Sequence, residues 1–358
     1  MAKSRANPEE GAKERRKRGA ALLSVFSNSF LILFKLAVGL LIGSISVISE
    51  AIHSGVDLLA SFIALFGVKQ SAKPADANHP FGHGKLENLS GTIEALLIFA
   101  AAGWIMYEAA QKFLEPHTLR LPAWGAGVML FSALANYLVS RYLFRVGHET
   151  DSMALQADAW HLRTDVYTSL GVTVGLSAIW LGAAVFPELA LHWIDPVAAM
   201  VVAGLILRAA YHLTRESGRD LLDASLPSEE EETIRELVRS FSPDVRGYHG
   251  LRTRKSGSER FIELHLQLEA DMSVEQSHNL AEEVSRAIKD RFSESNVTVH
   301  VEPCNGNCTR KCLEGCLLGE GERRQVRQRF QAESGDTPQK SRPSDTSAGR
   351  GPGGTPDP

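Results

Sequence analysis

Apolar residues are concentrated before about residue 215, where they form six long runs separated by short polar connections. A helix of about 20 mainly apolar residues spans the hydrocarbon core of a bilayer, and each run reaches that length. A charge or an amide interrupts several runs, as it could in a soluble core helix if it were paired, but the number and length of the runs favour a membrane bundle. The pattern predicts six transmembrane helices, at residues 20–42, 48–68, 89–114, 123–144, 154–186 and 194–213.

Beyond residue 213 the apolar positions become sparse and periodic, which indicates a separate domain. Leu226-Pro227-Ser228 precedes four glutamates, a pattern typical of a helix N-terminus. Helical and strand-like periodicities then follow in the order α-β-β-α-β. The predicted elements are helices at 229–241 and 273–292 and strands at 250–255, 260–269 and 296–301. A sheet with helices on one face would bury their apolar sides, so we predict a compact α+β domain of the ferredoxin-like or metallochaperone-like kind.

These patterns divide the chain into five parts. They are a basic arm at 1–19, a six-helix transmembrane domain at 20–215, an α+β domain at 216–303, a cysteine-rich segment at 304–318 and a tail at 319–358. The tail is rich in Gln, Arg, Ser, Gly and Pro and cannot bury enough apolar area to offset its ordering entropy. We therefore expect it to be disordered.

Lysine and arginine are distributed unevenly between the two sides of the predicted bundle. They crowd into the N-terminal arm, the connection between the second and third helices and the end of the fourth helix, whereas the alternate connections hold little beyond Lys112 and Arg120. Because positive residues are retained on the cytoplasmic side, both termini are predicted to be cytoplasmic. The first run is too long for a cleaved signal peptide and lacks a cleavage site, so we expect it to remain in an integral membrane protein.

The net charge of −4 at pH 7 gives no reason to expect nucleic acid as a partner, since the chain has no dense basic surface apart from its arm. We expect the arm to meet anionic lipid of the bilayer instead.

Two predicted membrane helices carry matching pairs of ionisable side chains. His53 and Asp57 are four residues apart on the second helix, and His161 and Asp165 repeat that spacing on the fifth. Residues at i and i+4 share a helix face, so two adjacent helices could present two nitrogens and two carboxylates, a set suited to zinc. Each charge costs at least about 2.5 kcal/mol within a membrane helix, and a bound dication would offset that cost. Any one of them alone could instead make an interhelical hydrogen bond.

In its six spans, both His-x-x-x-Asp pairs and the C-terminal α+β domain, the chain resembles the cation diffusion facilitator family. Three further motifs agree with that family: Ser49-Glu50-Ala51, His79-Pro-Phe-Gly-His83-Gly-Lys85 and Leu251-Arg252-Thr253-Arg254. The resemblance covers roughly residues 15–303. It implies a homodimeric antiporter of the bacterial inner membrane that exports a divalent cation from the cytoplasm in exchange for protons, with His53, Asp57, His161 and Asp165 as its transport site.

The resemblance also implies two further metal sites. One lies in the connection after the second helix, although its histidines could instead only order a loop rich in Pro and Gly; its residues are Asp76, His79 and His83. The other is a regulatory zinc site in the α+β domain, formed by His249, His265, His278, His300 and Glu302. Glu302 stands where relatives often have Asp. Lys85 and Asp223 fall where the family forms an ion pair between its two domains, and unpaired surface charges are the alternative.

All four cysteines lie in the segment after the α+β domain, as Cys304, Cys308, Cys312 and Cys316. A disulfide framework is not expected on the cytoplasmic, reducing side. Thiolates capture zinc or copper(I), but in a continuous helix a spacing of four drifts about 40° per step, so the thiols would not share one face. A metal collector and a set of reduced, inactive thiols are both compatible with the pattern.

The residues therefore favour a secondary transporter of zinc, with iron, cobalt, cadmium or manganese as other possible cargoes, rather than an enzyme. Magnesium and calcium prefer oxygen-only ligands. A metal-dependent intramembrane hydrolase is a second hypothesis, but it would need an open metal position and a general base, and a motif such as His-Glu-x-x-His is absent from the sequence. A metal-sensing scaffold with little transport is the third. Ligand type fixes neither the physiological ion nor the number of protons exchanged.

Overall fold

The computed structural model describes residues 8–42, 45–114, 123–185 and 193–333. Six long helices make up the first part of the chain, as predicted. They are α1 (Pro8–Ile42), α2 (Ile45–Ser71), α3 (Lys85–Leu114), α4 (Ala123–Glu149), α5 (Met153–Val185) and α6 (Ile194–Leu221). Within the described residues, four of them contain a stretch both long and apolar enough to cross a bilayer, at Gly11–Leu41, Lys85–Gln111, Gly127–Glu149 and Pro196–Leu221. The chain is a helical transmembrane protein with a C-terminal domain.

Small residues line the contacts between these helices. One buried cluster joins α1, α2, α4 and α5 and contains Ala20, Ala64 and Ala159. A second joins α3, α5 and α6 and contains Ala95 and Ala210. Alanine lets helix backbones approach closely, which favours packing in lipid, where the hydrophobic effect does not drive helices together. The helix α5 takes part in both clusters and is therefore held inside the bundle.

The C-terminal part follows the predicted α-β-β-α-β order. Its elements are α7 (Ser228–Arg239), β1 (Gly247–Ser256), β2 (Glu259–Leu268), α8 (Val274–Arg291) and β3 (Ser295–Pro303), and the sheet order is β1-β2-β3. Alternate residues of β2 are buried, including Leu264, Leu266 and Leu268, which explains its period-two pattern. Two short helices follow, α9 (Arg310–Glu314) and α10 (Glu320–Glu333).

The expectation of disorder from residue 319 is wrong for the part of the tail that the structure describes, because Glu320–Glu333 form α10. Glu, Arg and Gln are good helix formers, and this stretch has acidic residues in its first turn, where they favour the helix dipole. The composition correctly predicted that this stretch buries little apolar area. A helix that is held by polar contacts needs little such burial. Residues 334–358 lie outside the described residues.

The first helix begins earlier than expected. Pro8 opens α1 and two glutamates follow, an arrangement favourable at a helix N-terminus, so the basic residues from Lys13 onward belong to the helix. Lys17, which we had assigned to a lipid-binding arm, is 1% exposed, and its Nζ lies 3.6 Å from the Glu87 carboxylate. At this residue the arm meets protein rather than lipid.

The chain divides into two compact units. The first comprises residues 1–234, 252–263 and 286–298, and the second comprises 235–251, 264–285 and 299–358. The intramembrane residues considered below belong to the first unit, and the histidines and cysteines of the C-terminal part belong to the second.

Candidate metal sites

Three of the four predicted transport-site residues come together between α2 and α5. Asp57, His161 and Asp165 each offer a ligand atom, and these atoms lie within 4.8 Å of one another. The His161 Nε2 lies 3.2 Å from the Asp57 Oδ1. His161 and Asp165 share one face of α5 because they are four residues apart. His53 stands one turn before Asp57 in α2, and its side chain lies outside the described residues.

This group is shielded by the bundle but opens to a cavity. Asp57 and His161 are each 6% exposed. Asp57 and Asp165 line a cavity of about 610 Å³, to which Lys35, Asn136 and Ser169 also contribute. Two carboxylates and an imidazole at such depth offer a negatively charged set of one nitrogen and two oxygen donors. Those donors suit a divalent ion of the zinc or iron kind better than a hard cation such as calcium.

Polar neighbours from other helices orient the ligands. The Asn136 Nδ2 of α4 donates to the Asp165 Oδ2 at 3.3 Å. On the other side, the Ser61 Oγ donates to the Asp158 Oδ1 at 3.1 Å, and the Asn28 Nδ2 donates to the Ser61 Oγ at 2.7 Å. The sequence marked Asn136 only as an amide within an apolar run. Its role was not predictable because the rotation of α4 against α5 decides which side chain reaches Asp165.

Two more carboxyl groups are buried in the bundle. Glu94 and Asp158 are both 0% exposed. Among the described residues neither Glu94 oxygen has a hydrogen-bond partner, and the Asp158 Oδ2 has none either. Asp158 lies one turn before His161 on α5. A buried carboxylate oxygen without a hydrogen-bond partner is costly as an anion, more so for Glu94 than for Asp158, whose Oδ1 accepts from Ser61.

The connection between α2 and α3 gathers the three residues predicted there. The Asp76 Oδ1 accepts hydrogen bonds from the His79 N–H at 2.7 Å and the Asn78 N–H at 2.9 Å. The His83 Nε2 lies 3.4 Å from the Asp76 Oδ2, and the two imidazole rings are 4.4 Å apart between centroids. The backbone N–H of His79 is the main cause that lowers the pKa of Asp76. The group lies in an exposed loop, where water competes for any ion.

A third group lies on the sheet, with one contribution from each strand. The Glu302 carboxylate of β3 lies between two histidines, with its Oε2 2.8 Å from the His249 Nε2 and its Oε1 2.8 Å from the His265 Nδ1. The hydrogen bond from His265, followed by that from His249, lowers the pKa of Glu302. The order β1-β2-β3 places these residues on adjacent strands, which is why the alternation in sequence converges in space.

Of the two other residues predicted for the sheet site, His300 lies beside that group and His278 does not. The His300 Nε2 is 3.8 Å from the Glu302 Oε1, and its ring stacks edge-on to His265 with centroids 4.8 Å apart. His278 is exposed on α8 and is not among the residues that the structure brings together here. His249 was expected before the first strand and instead belongs to β1.

Lys85 and Asp223 form the expected ion pair. The Lys85 Nζ lies 2.9 Å from the Asp223 Oδ1, and it also donates to the Leu221 carbonyl at 3.3 Å. Asp223 has a φ of 56°, in the left-handed region that aspartate tolerates better than most residues. Asp223 therefore lies in a tight turn directly after the end of α6.

Comparisons with known proteins match both parts of the chain. Residues 21–222 match a model described as the cation efflux transmembrane domain, and residues 226–304 match one described as the cytoplasmic domain of cation efflux proteins. The chain is 34% identical over 286 residues to the cation-efflux pump FieF of Cronobacter sakazakii, a match that covers 80% of this chain and 92% of that protein. An uncharacterized transporter of Synechocystis is also 34% identical over 286 residues, covering 80% of this chain and 90% of the relative.

Solved structures match the C-terminal part. The metal-bound C-terminal domain of the CzcD transporter from Thermotoga maritima is 30% identical, with a TM-score of 0.20, and the match covers 21% of this chain and 87% of that one. A structure of CzrB is 38% identical, with a TM-score of 0.21, and the match covers 22% of this chain and 98% of that one.

Proposed function

The chain belongs to the cation diffusion facilitator family of divalent-cation efflux transporters, and from that premise we propose that it exports Zn²⁺ from the cytoplasm in exchange for protons. It is a membrane transporter rather than an enzyme. The proposed transport site consists of Asp57, His161 and Asp165, with His53 as the fourth ligand.

The observation that carries this proposal is the grouping of ligand atoms of Asp57, His161 and Asp165 within 4.8 Å of one another, with both carboxylates at the wall of a cavity. Two anionic side chains this deep in a bundle destabilise it unless a cation balances them. An imidazole with carboxylates is a common donor set for zinc, and a second imidazole from His53 would complete four-coordination. The cavity gives the ion a route to the site.

Proton exchange follows from the chemistry of the same ligands. An imidazole must be deprotonated to bind a metal ion, so protons and zinc compete for His161. In the absence of metal, the 3.2 Å contact with Asp57 offers a proton on His161 an immediate acceptor. If one arrangement of helices faces the cytoplasm and another faces the opposite side, this competition couples proton entry to zinc exit.

The rest of the chain supports this transport cycle. We propose that residues 20–215 form the transmembrane domain in the bacterial inner membrane, that 216–303 form the cytoplasmic α+β domain, and that both termini are cytoplasmic. That domain would bind regulatory zinc through His249, His265 and Glu302, with His300 beside them and His278 on α8, and would pair two protomers. Asp76, His79 and His83 form a weaker loop site.

Transport in sealed vesicles tests the proposal. The purified protein is reconstituted into vesicles that contain a zinc indicator, and a proton gradient is imposed across their membrane. Under these conditions the protein should move Zn²⁺. Repeating the assay with Fe²⁺, Co²⁺, Cd²⁺ and Mn²⁺ would rank the cargoes. Asp57→Ala and Asp165→Ala should abolish flux. Glu216→Ala is the matched control, because Glu216 is a half-exposed carboxylate at the end of α6 that pairs with His212. Flux that survives both site changes would reject the site, and flux insensitive to the gradient would reject antiport.

A further inference from the structure

The four cysteines of the chain surround a single small pocket beside the sheet. Cys304 follows β3 directly, Cys308 lies in the next loop, Cys312 belongs to α9 and Cys316 follows that helix. All four line one pocket, together with Gln267 of β2 and Arg323 of α10. The four thiols are free, with Cys304 and Cys312 buried. Three of these cysteines lie beyond the segment that matches the cytoplasmic domain of cation efflux proteins, which ends at residue 304.

Turns, rather than a continuous helix, bring the four cysteines to one pocket, in which no three of their Sγ atoms lie within 4.8 Å of one another. Gly306 has a φ of 73°, which a residue with a side chain adopts only with strain. Thr309 then caps the five-residue helix α9 by accepting a hydrogen bond from the Cys312 N–H at 3.4 Å. At Gly315 a side chain would place its Cβ 1.8 Å from the Tyr248 carbonyl oxygen. The drift expected for a uniform helix of period 3.6 therefore does not apply, because the chain changes direction at both glycines.

Backbone hydrogen bonds fasten this segment to the sheet. The Cys304 N–H donates to the Leu268 carbonyl at 2.8 Å, and the Tyr248 N–H donates to the Gly315 carbonyl at 3.0 Å. The Leu317 N–H donates to the Arg246 carbonyl at 2.9 Å, and Gly247 and Cys316 form an antiparallel bridge. On the far side, the Arg327 Nε of α10 donates to the Gly306 carbonyl at 3.4 Å. The pocket lies beside the fastened segment and is lined by residues of β2, α9 and α10 and of the loops around α9.

The segment of residues 304–318 has few apolar side chains whose burial could keep it folded against the sheet. Its larger apolar side chains are Leu313, Leu317 and Leu318, and Leu313 is 46% exposed. The side chains that it does bury are Cys304 and Cys312, at 8% and 7% exposure. Small segments with so little core are commonly held by a bound metal ion, whose binding free energy becomes folding free energy.

Polar and cationic side chains lie beside the thiols. The Cys312 Sγ donates to the Gln267 Oε1 at 3.1 Å, and Arg323 lines the same pocket. A dication would remove the repulsion among thiolates, and nearby Arg246 and Arg323 would balance the excess negative charge of a metal with four thiolates.

We propose that Cys304, Cys308, Cys312 and Cys316 rotate their side chains into the pocket around one Zn²⁺ ion and form a closed tetrathiolate site, which fastens α9 and α10 to the edge of the sheet. Four sulfur ligands with no open position are typical of structural zinc. The pocket volume of about 10 Å³ is that of roughly one water-sized sphere, which fits a single ion rather than an iron–sulfur cluster. The site is distinct from the transport site and does not depend on the proposed transport.

Cobalt spectroscopy of the full-length protein tests this site. Co²⁺ bound by thiolates gives a sulfur-to-metal charge-transfer band, and tetrahedral Co²⁺ gives strong visible bands. Because the chain has only 4 cysteines and all belong to this group, histidine and carboxylate sites cannot produce the charge-transfer band. The reduced, detergent-purified protein should develop the charge-transfer band with an amplitude that corresponds to one thiolate-bound Co²⁺ per chain, and Zn²⁺ in excess of all the proposed sites should abolish it.

Variants and alkylation make the outcome decisive. Cys312→Ser and Cys316→Ser should each lose the tetrathiolate spectrum and reduce tightly bound zinc by one ion per chain, whereas Lys311→Gln, a change at an exposed residue of α9 that does not line the pocket, should keep both. In the wild type, Zn²⁺ should protect all four thiols from iodoacetamide, which excludes a folding defect as the explanation. Absence of the charge-transfer band, unprotected thiols, or capture of copper(I) but not zinc would each overturn the proposal.

Discussion

The Asp57 Oδ1 of α2 and the His161 Nε2 of α5 lie 3.2 Å apart, although 104 residues separate them along the chain. The contact joins the two helices that carry the predicted ligands. Under the proposed function, a metal ion bound by both atoms would displace a proton held by the imidazole, so metal binding would release protons.

We expect zinc binding to the purified transporter to release protons and to weaken as the pH falls. In the range where the imidazole is protonated, the apparent affinity should drop about tenfold per pH unit for each proton displaced. Calorimetric titration in buffers of different ionisation enthalpy measures the release. His161→Asn should reduce it, and His212→Asn, a change at an exposed histidine near the end of α6, should leave it unchanged. Equal proton release by His161→Asn and wild type would contradict this assignment.

Asn136 should act on the transport site through Asp165. Its Nδ2 donates to the Asp165 Oδ2 at 3.3 Å, so Asn136→Ala removes one hydrogen bond that orients that carboxylate. Loss of such an orienting partner typically costs about 10- to 100-fold in metal affinity or activity. We expect a raised zinc KM in vesicle uptake at an unchanged pH optimum. Ser132→Ala is the control, because Ser132 lines the same cavity one turn away. Similar KM values in both variants would exclude the orienting role.

Glu302 should make the stability of the metal-free sheet depend on pH. Its pKa is lowered from 4.5 by His265 and His249, so its contribution is present above that value and is lost as the pH falls through the lowered pKa. Because the carboxylate is partly exposed, we expect Glu302→Gln to cost only about 1 kcal/mol at pH 7. Chemical unfolding of the chelated protein from pH 7 to pH 3 measures this difference. The wild type and the variant should converge at the acidic end, and a constant gap would show that the carboxylate charge is not responsible.

The Lys85–Asp223 ion pair should contribute modestly to the free energy of unfolding. With half-exposed partners at 2.9 Å, its loss should cost less than about 1 kcal/mol. Asp223→Asn removes the charge while keeping a residue that tolerates the φ of 56°, and Asp223→Ala adds the strain of the left-handed conformation. A double-mutant cycle with Lys85→Met, read by thermal unfolding, separates the two effects. Zero coupling energy with Asp223→Asn would show that the ion pair is not stabilising.

The order of elements was largely predictable from sequence because it depends on local periodicity. The six helices and the α-β-β-α-β order follow from the spacing of apolar residues within each short stretch of sequence. The predictions that failed concerned residues whose contacts are with residues distant in sequence. Lys17 looked like a lipid-facing charge until the fold placed it beside Glu87, and the four cysteines looked dispersed because helical geometry was assumed through Gly306 and Gly315. Asn136 is the same case, since helix rotation within the bundle is not encoded by the run it occupies.

The bridge between Gly247 and Cys316 occupies the outer side of β1, which the order β1-β2-β3 leaves at the border of the sheet. Unpaired backbone groups on a border strand recruit strands from other molecules, which leads to aggregation. The segment after β3 caps part of that border. Truncating the chain at residue 303, a natural choice for isolating the C-terminal domain, would expose this edge of β1. We expect such a truncated protein to self-associate more than the full chain does.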